Sequence, residues 1–452
     1  MTEEAQQKTV AILGYGTAGV NAAIALRTSG YTGKIVAFSN TGIAPYSPIL
    51  TSYFAGGDKT YEECFPWSEA ELASLDVDVK ANCPVLELDP QAHTVNTPEG
   101  ALAYDKCVIA TGATPHCLGF PGVDNDPAYQ PIVLRTLDDA ARLKTTLEDP
   151  ACKKMLVSGA SMVALKTVEA CLNKGVQVTE VGMNPNLLDL NAVPASAERF
   201  ERAMRDKGVE LRLGQVIKEV HRIDDPAGFE GRKLQVTFST GDVYTFDEIS
   251  IAHGVRSNLG FIKEGSLEID RALVVDEFMR TSDPDAYAAG DVAQALELVW
   301  GQKRVVGIWK NAAVQGQVAG CAIAAELAGR EPSPEDAYEG SISNNTIAVN
   351  GTLFISAGIV QPAEKWDLDV REESDMTVVL AYQKLDDAEA GSQDVSTGCG
   401  LTGAAVDDVI ATLKPGRRLV GFNITCDEDV AGNHAYDLGA MLTMRIRKDC
   451  ER

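Results

Sequence analysis

Lys8-Thr9-Val10-Ala11-Ile12-Leu13-Gly14-Tyr15-Gly16-Thr17-Ala18-Gly19 is the stretch whose reading decides the fold. Residues 8–13 carry the apolar run of a buried strand and lead straight into a glycine turn. Asn21 to Arg27 continues as an Ala-rich helix, and Lys34 to Phe38 is the next apolar strand. This is a complete strand, glycine turn, helix, strand unit, the arrangement that binds dinucleotides. Gly14 makes the tight turn, Gly16 lets the backbone approach a pyrophosphate, and Gly19 lets helix and strand pack closely. The N–H groups that open the helix, at Thr17 and Ala18, then face the phosphates. An acid usually ends the second strand and holds the ribose hydroxyls. Here Ser39 and Asn40 stand in its place, and they form weaker hydrogen bonds than a carboxylate does. The alternative is that the turn and apolar contacts hold the adenosine end.

Working outward, 452 residues exceed one core, since single cores stop growing at roughly 250–300 residues. Apolar residues make up 45% and charged residues 23%, which fits a soluble globular chain and excludes disorder and coiled coil. The 40 Lys and Arg face 65 Asp and Glu, a formal net charge of −25. Such a surface repels phosphate backbones and anionic lipid, so neither nucleic acid nor a membrane surface is an expected partner. No apolar run approaches the roughly 18–20 residues of a membrane span, and the acidic, polar start of the chain is unlike a signal peptide. Ten cysteines lie singly from Cys64 to Cys450 with no CxxC or CxxxxC pair, and the five histidines are dispersed. No metal site is expected, and the cysteines read as small buried hydrophobes of a reducing, cytoplasmic compartment.

Two further segments match the first turn. Tyr104 to Pro115 is an apolar strand ended by Ala110-Thr111-Gly112, and Thr281 to Asp291 is a strand ended by Tyr287-Ala288-Ala289-Gly290-Asp291. Together the three resemble the two-dinucleotide-domain flavoproteins of the pyridine nucleotide–disulfide oxidoreductase superfamily, over roughly residues 8 to 330. The resemblance implies two Rossmann-like α/β domains for FAD and NAD(P), followed by a C-terminal α+β domain. It implies that Ala110, Thr111 and Gly112 pass beside FAD and that Asp291, next to Gly290, holds a ribityl hydroxyl, with Pro48 and Val85 completing the FAD set. Taken alone, Asp291 could instead cap a following helix. Trp309 to Leu327 is an Ala-rich helix that in this family points its N-terminus at the flavin, where the helix dipole favours the reduced, anionic ring.

The second fingerprint is altered. Between the strand Lys154–Val157 and the strand that begins around Gly175, the sequence reads Gly159-Ala160-Ser161-Met162-Val163-Ala164-Leu165-Lys166. Ser161 replaces the middle glycine, Ala164 the third, and Lys166 an acid. Gly182 stands where an acid would bind the NAD ribose, and Met183-Asn184 follow with no Arg for a 2′-phosphate. Either this domain binds NAD(P)H in a variant way, Lys166 pairing with a phosphate or carboxylate, or its nucleotide site is vestigial. The stretch Ala252 to Asn258, with Gly254, resembles the family's return to the FAD domain, and His253 in it reads as a packed loop histidine rather than a base.

Disulfide reductases of this family carry a CxxxxC pair on the helix after the second strand, and coenzyme A disulfide reductases and NADH oxidases carry one Cys in the loop that here runs from Pro45 to Gly57. Aligned through Tyr53 and Gly56, Ile49 takes the single-cysteine position, so disulfide or peroxide reduction by that thiol is not expected. Cys64, Cys107, Cys117 and Cys321 read as buried filler, and Cys399 in a Gly/Ser/Thr-rich stretch is the one candidate exposed thiol. Residues 340–452 alternate at strand period around an expected helix at 403–413, with a polar insertion at 386–402. The domain expectation is 1–130 with 255–335 for FAD, 131–254 for NAD(P), and 336–452 for a dimer interface. The functional expectation is an FAD-dependent oxidoreductase passing electrons between NAD(P)H and a non-disulfide acceptor, small molecule or protein. It works as a homodimer or beside a redox partner subunit. The alternative is an FAD-holding subunit of a multi-subunit complex with no turnover of its own, for which Tyr46-Ser47-Pro48 and Lys166 resemble flavoprotein subunits of anaerobic oxidoreductases.

Overall fold

The computed structural model describes residues 8–117, 119–123, 129–384 and 417–450. The helix expected at 403–413, the insertion at 386–402 and Cys399 lie outside them. The elements that build the sheets begin with β1 (Thr9–Leu13), α1 (Thr17–Thr28), β2 (Lys34–Phe38), α2 (Leu50–Gly56), β3 (Val77–Lys80) and β4 (Lys106–Ile109). Next come β5 (Ile132–Val133), β6 (Lys154–Ser158), α3 (Met162–Asn173), β7 (Gln177–Gly182), α4 (Pro194–Asp206), β8 (Glu210–Leu213) and β9 (Glu248–Ile251). Then follow β10 (Ala286–Ala288), α5 (Trp309–Leu327), β11 (Asn344–Val349), β12 (Thr352–Gly358), β13 (Asp367–Glu372), β14 (Met376–Lys384), β15 (Arg417–Asp427) and α6 (Glu428–Cys450).

The chain divides into two units. The first combines Met1–Leu50, Thr60–Thr114 and Val255–Ser341; the second combines Thr51–Lys59, Pro115–Gly254 and Ile342–Arg452. The first is built on a parallel sheet of order β10-β4-β1-β2-β3. Its central strand is buried on both faces at Val10, Ala11, Ile12 and Leu13, as a sheet covered by helices on both sides requires. Helix α1 starts at once after Gly16, because the glycine turn hands directly into it.

Helices α1 and α5 cross this sheet together, and small residues set their distance. A Cβ on Gly316 would lie 2.2 Å from the Ala18 carbonyl oxygen, and one on Gly320 2.5 Å from that of Ala22. At the opposite end of the sheet Glu326 of α5 accepts from Arg280 Nε at 2.8 Å and pairs with Lys106 at the start of β4. Lys106 also holds Asp285 at 2.7 Å, just before β10. Burial raises the Glu326 carboxyl, but hydrogen bonds from Lys106, Tyr287 and Arg280 outweigh it and hold the group below the ordinary glutamate range.

In the second unit a parallel sheet of order β8-β7-β6-β9-β5 repeats the plan, with α3 following the β6 turn. Its C-terminal sheet, β11-β12-β15-β14-β13, is antiparallel throughout, as the alternating pattern predicted. The long helix α6 was not read from the sequence. It packs Gly439 against Ile355 and Ile424, where a Cβ would be 3.2 Å from Ile355 Cγ2. Asn423 of β15 binds the β7–α4 connection: its Oδ1 accepts from Val193 N at 2.9 Å and its Nδ2 donates to Asn191 O at 2.7 Å.

Two outcomes test this packing. Gly316→Ala should destabilise the protein by about 1–3 kcal/mol, because the added methyl forces apart two helices in backbone contact; thermal unfolding reads it. Glu326→Gln should cost about 1.5–3 kcal/mol at neutral pH, the range of hydrogen bonds to charged groups. A carboxyl depressed by folding stabilises above its unfolded value and stops doing so as pH falls through its folded one. The gap between wild type and Glu326→Gln should therefore close on acidification below the ordinary glutamate value of about 4.3, as denaturant titrations at neutral and acid pH will show.

Candidate functional site

In the first unit three backbone segments meet at the C-terminal edge of β1, β4 and β10, the edge where open α/β sheets hold ligands. Gly14 has φ +99°, and a Cβ there would lie 2.3 Å from the Ala110 carbonyl oxygen and 2.9 Å from Thr111 N. Gly19 fits beneath it, with a Cβ position 2.1 Å from Gly14 O. A Cβ on Gly16, in contrast, would have nothing within 4 Å. Gly16 is also the N-cap of α1 and makes no side-chain cap, and the first turn of that helix has no acid. Among the described residues the N–H groups at Thr17 and Ala18 therefore sit behind open space with no side-chain cap from their N-cap residue, which fits a pyrophosphate.

The Ala110-Thr111-Gly112 turn is clamped by Asn258, a residue whose role the sequence did not reveal. Asn258 Nδ2 donates to Thr111 O at 2.8 Å, Asn258 N donates to Gly112 O at 2.9 Å, and Thr111 Oγ1 donates to Asn258 O at 3.0 Å. The third segment turns at Gly290, φ +84°, where a Cβ would lie 3.4 Å from Ala18 Cβ; Gly290 N donates to Gln315 Oε1 of α5 at 2.8 Å. Asp291 caps no helix, because the strand Ala293–Glu297 follows it, so that alternative is set aside. Its backbone carbonyl accepts from Ser257 Oγ at 2.6 Å, and its carboxylate lies beside Gly307, just ahead of α5. Gly14, Gly16, Thr17, Ala18, Gly19, Ala110, Thr111, Gly112, Gly290 and Asp291 are thus brought together. Ser39 follows the adjacent β2 with its hydroxyl 3.3 Å from that of Thr41; Asn40 and Pro48 are exposed, and Val85 is half-buried.

The turn of the second unit has the same backbone but different equipment. Gly159 has φ +131°, and a Cβ there would meet Ala252 O at 2.4 Å, so the β6 turn presses against the β9 exit as the first turn does against Ala110. Ser161 is the N-cap of α3, and its hydroxyl accepts from Ala164 N at 3.4 Å, a side-chain cap that Gly16 cannot make at the first turn. Ala164 is buried, as a helix packed on its strand requires. Lys166 pairs with Glu169, donates to Ala348 O at 3.3 Å and lies 3.9 Å from the centre of the Tyr53 ring, so the carboxylate partner expected for it is a residue of its own helix. His253 is packed: Nε2 stands 2.8 Å from Ser158 Oγ, the Phe120 ring meets it edge-on, and burial holds the imidazole below its ordinary value. Gly254 adopts φ +84° and accepts from His116 N at 2.9 Å.

The cysteines divide differently from the expectation. Cys64 and Cys107 are buried, and burial raises both thiols. Cys117 is exposed, in the loop that follows Pro115-His116, and Cys321 is half-buried; neither is core filler. His93, Asp283 and Asp285 lie close enough to hold an ion, but Asp285 is already paired with Lys106.

Gly16→Val tests the first turn. Its side chain would enter open space rather than protein, so the melting temperature of the apoprotein should stay within about 2 °C of wild type. The pyrophosphate loses its place against the backbone, and flavin retained on purification should fall at least about tenfold, read by the flavin-to-protein absorbance ratio.

Known proteins bear the same stamp. The sequence is 26% identical over 381 residues to a rubredoxin-NAD(+) reductase of Ectopseudomonas oleovorans, covering 83% of this chain and 93% of that one. It is 29% identical over 348 residues to the epsilon subunit of an NADH-dependent phenylglyoxylate dehydrogenase of Aromatoleum evansii, covering 77% and 78%. Among solved structures, that of the covalent putidaredoxin reductase–putidaredoxin complex resembles the fold with a TM-score of 0.77 at 20% identity, covering 97% of this chain and 93% of that chain. Residues 8–316 match the family described as pyridine nucleotide-disulphide oxidoreductase, and the chain belongs to that family.

Proposed function

We propose that this chain is an FAD-dependent oxidoreductase that passes electrons between NAD(P)H and an acceptor other than a disulfide. The observation that carries the reading is the convergence of Gly14, Ala110-Thr111 and Gly290-Asp291 around Gly16, whose missing side chain leaves open space. FAD supplies the exchange between a hydride donor and acceptors that take electrons singly or in pairs. The chain supplies position and field: α1 N–H groups for the pyrophosphate, the Asn258-clamped turn along the cofactor, the Asp291 carboxylate for a ribityl hydroxyl, and the α5 N-terminus for negative charge on the ring. The segment from Pro45 to Gly57 holds no cysteine, so electrons leave without a thiol relay from it. A protein acceptor is favoured by the similarity to a rubredoxin reductase.

The finer assignments belong to the same proposal. FAD is held by 1–130 and 255–335 and NAD(P)H by 131–254, while 336–452 forms the face for a second copy or a redox partner subunit. The compartment is the cytoplasm, and among the described residues no helix is long and apolar enough to cross a membrane. The second reading, an FAD-holding subunit without turnover of its own, is favoured by Ser161 at the second turn and by the similarity to a phenylglyoxylate dehydrogenase subunit. Anaerobic titration of the purified holoprotein separates the two. Loss of flavin absorbance near about 450 nm on adding NADH or NADPH is expected, and persistence of the band with both would overturn the first reading.

A further inference from the structure

The end of β7 poses a chemical problem. A carboxylate at position 182 would read the nucleotide ribose, but a Cβ on Gly182 would lie 2.9 Å from Ala160 Cβ and 3.2 Å from Leu213 Cδ2. The methyl of Ala160, inside the fingerprint turn, occupies the room that a strand-end acid needs. The connection after β7 then doubles back. Leu188, at φ +55°, donates its N–H to Ala160 O at 2.8 Å, which sets the next residue, Asp189, beside the same turn. Asp189 is half-buried, and the Asn184 side-chain amide donates to its carboxylate. Asn184 is itself fixed by Gly214 N, which donates to its carbonyl at 2.8 Å.

We propose that Asp189 replaces the missing strand-end acid, reads the adenosine ribose of the nucleotide and makes this site select NADH over NADPH, with Asn184 as its positioning residue. The proposal rests on the reading that the second unit binds a pyridine nucleotide. A carboxylate accepts strong hydrogen bonds from ribose hydroxyls and repels a 2′-phosphate. Strand β8, paired with β7, offers no free counter-charge: Arg212 is held by Glu210 at 2.9 Å and Asp242 at 3.2 Å. The loop does not need Asp189 to keep its shape. Leu187 and Leu188 are buried, and Glu201 accepts from Leu187 N at 3.0 Å and Asn186 Nδ2 at 3.1 Å.

The experiment measures Kd for NADH and for NADPH with purified holoprotein, wild type and Asp189→Asn, together with kcat and KM for each nucleotide. Wild type is expected to bind NADH at least about tenfold tighter than NADPH. Asp189→Asn should weaken NADH about tenfold, leave NADPH unchanged or tighter, and raise the KM for NADH with little change in kcat. An unchanged NADH-to-NADPH ratio in Asp189→Asn, or a wild type that prefers NADPH, overturns the proposal while leaving nucleotide use intact. Failure of wild type to bind either nucleotide overturns both. Asn184→Ala gives an independent reading: it should erode the NADH preference partway, and a stable variant with the full preference counts against the assignment.

Discussion

Everything in the first unit depends on three places where the backbone runs without a side chain between it and its neighbour. At Gly14 the turn touches the Ala110-Thr111 peptide, at Gly19 the helix touches the turn, and at Gly316 a second helix touches the first. A methyl group at any of them would lie 2.1 to 2.3 Å from a carbonyl oxygen. Packed interiors do not yield by that distance without moving whole elements. These contacts fix where α1 begins, where α5 lies and where Gly290 turns. The edge where these segments meet is thus set by missing atoms, and at Gly16 the absent side chain leaves open space.

The sequence announced this part of the molecule because the requirement is local. Gly14, Gly16 and Gly19 fall within six residues, and each is needed for its own steric reason. The Tyr287 to Asp291 segment and the apolar strands were legible for the same reason. What stayed hidden was non-local. Asn258 lies 147 residues from Thr111 and reads as an ordinary loop asparagine until the fold brings the two together. Asp189 lies past the strand end where an acid is sought, and the Leu188–Ala160 bond sets it beside the turn only once the chain is folded. Helix α6 escaped because Gly432, Gly439 and scattered charges blur its apolar periodicity, and packing on β12 and β15 holds it. Cys117 and Cys321 were misread because cysteine's usual burial says nothing about a particular loop or helix face.

The acid surplus bears on both glycine turns. With 65 acidic residues against 40 basic ones, basic side chains are readily taken up inside the protein. Lys106 serves Asp285 and Glu326, Arg232 serves the fully buried Glu248, Arg212 bridges Glu210 and Asp242, and Lys166 turns to Glu169. Breaking the buried pairs among them, such as Arg232 with Glu248, to bind a phosphate would leave a carboxylate without its partner at substantial cost. Phosphates are then best met by backbone N–H groups, whose partial charges no acidic neighbour can neutralise by pairing.

That constraint gives the difference between the two turns its meaning. At the first, no side chain competes for the N–H groups of α1; at the second, Ser161 already engages Ala164 N, though at a weak 3.4 Å. A pyrophosphate arriving at α3 must displace or share that hydroxyl, so the second site starts with less to offer than the first. A bond that long is easily given up, and a hydroxyl turned outward can itself donate to a phosphate. On the proposed reading, a nucleotide held this way would depend more on its ribose end, where the Ala160 methyl stands 2.9 Å from a Cβ at the strand-end position and Asp189 follows Leu188 in the loop bonded to the turn.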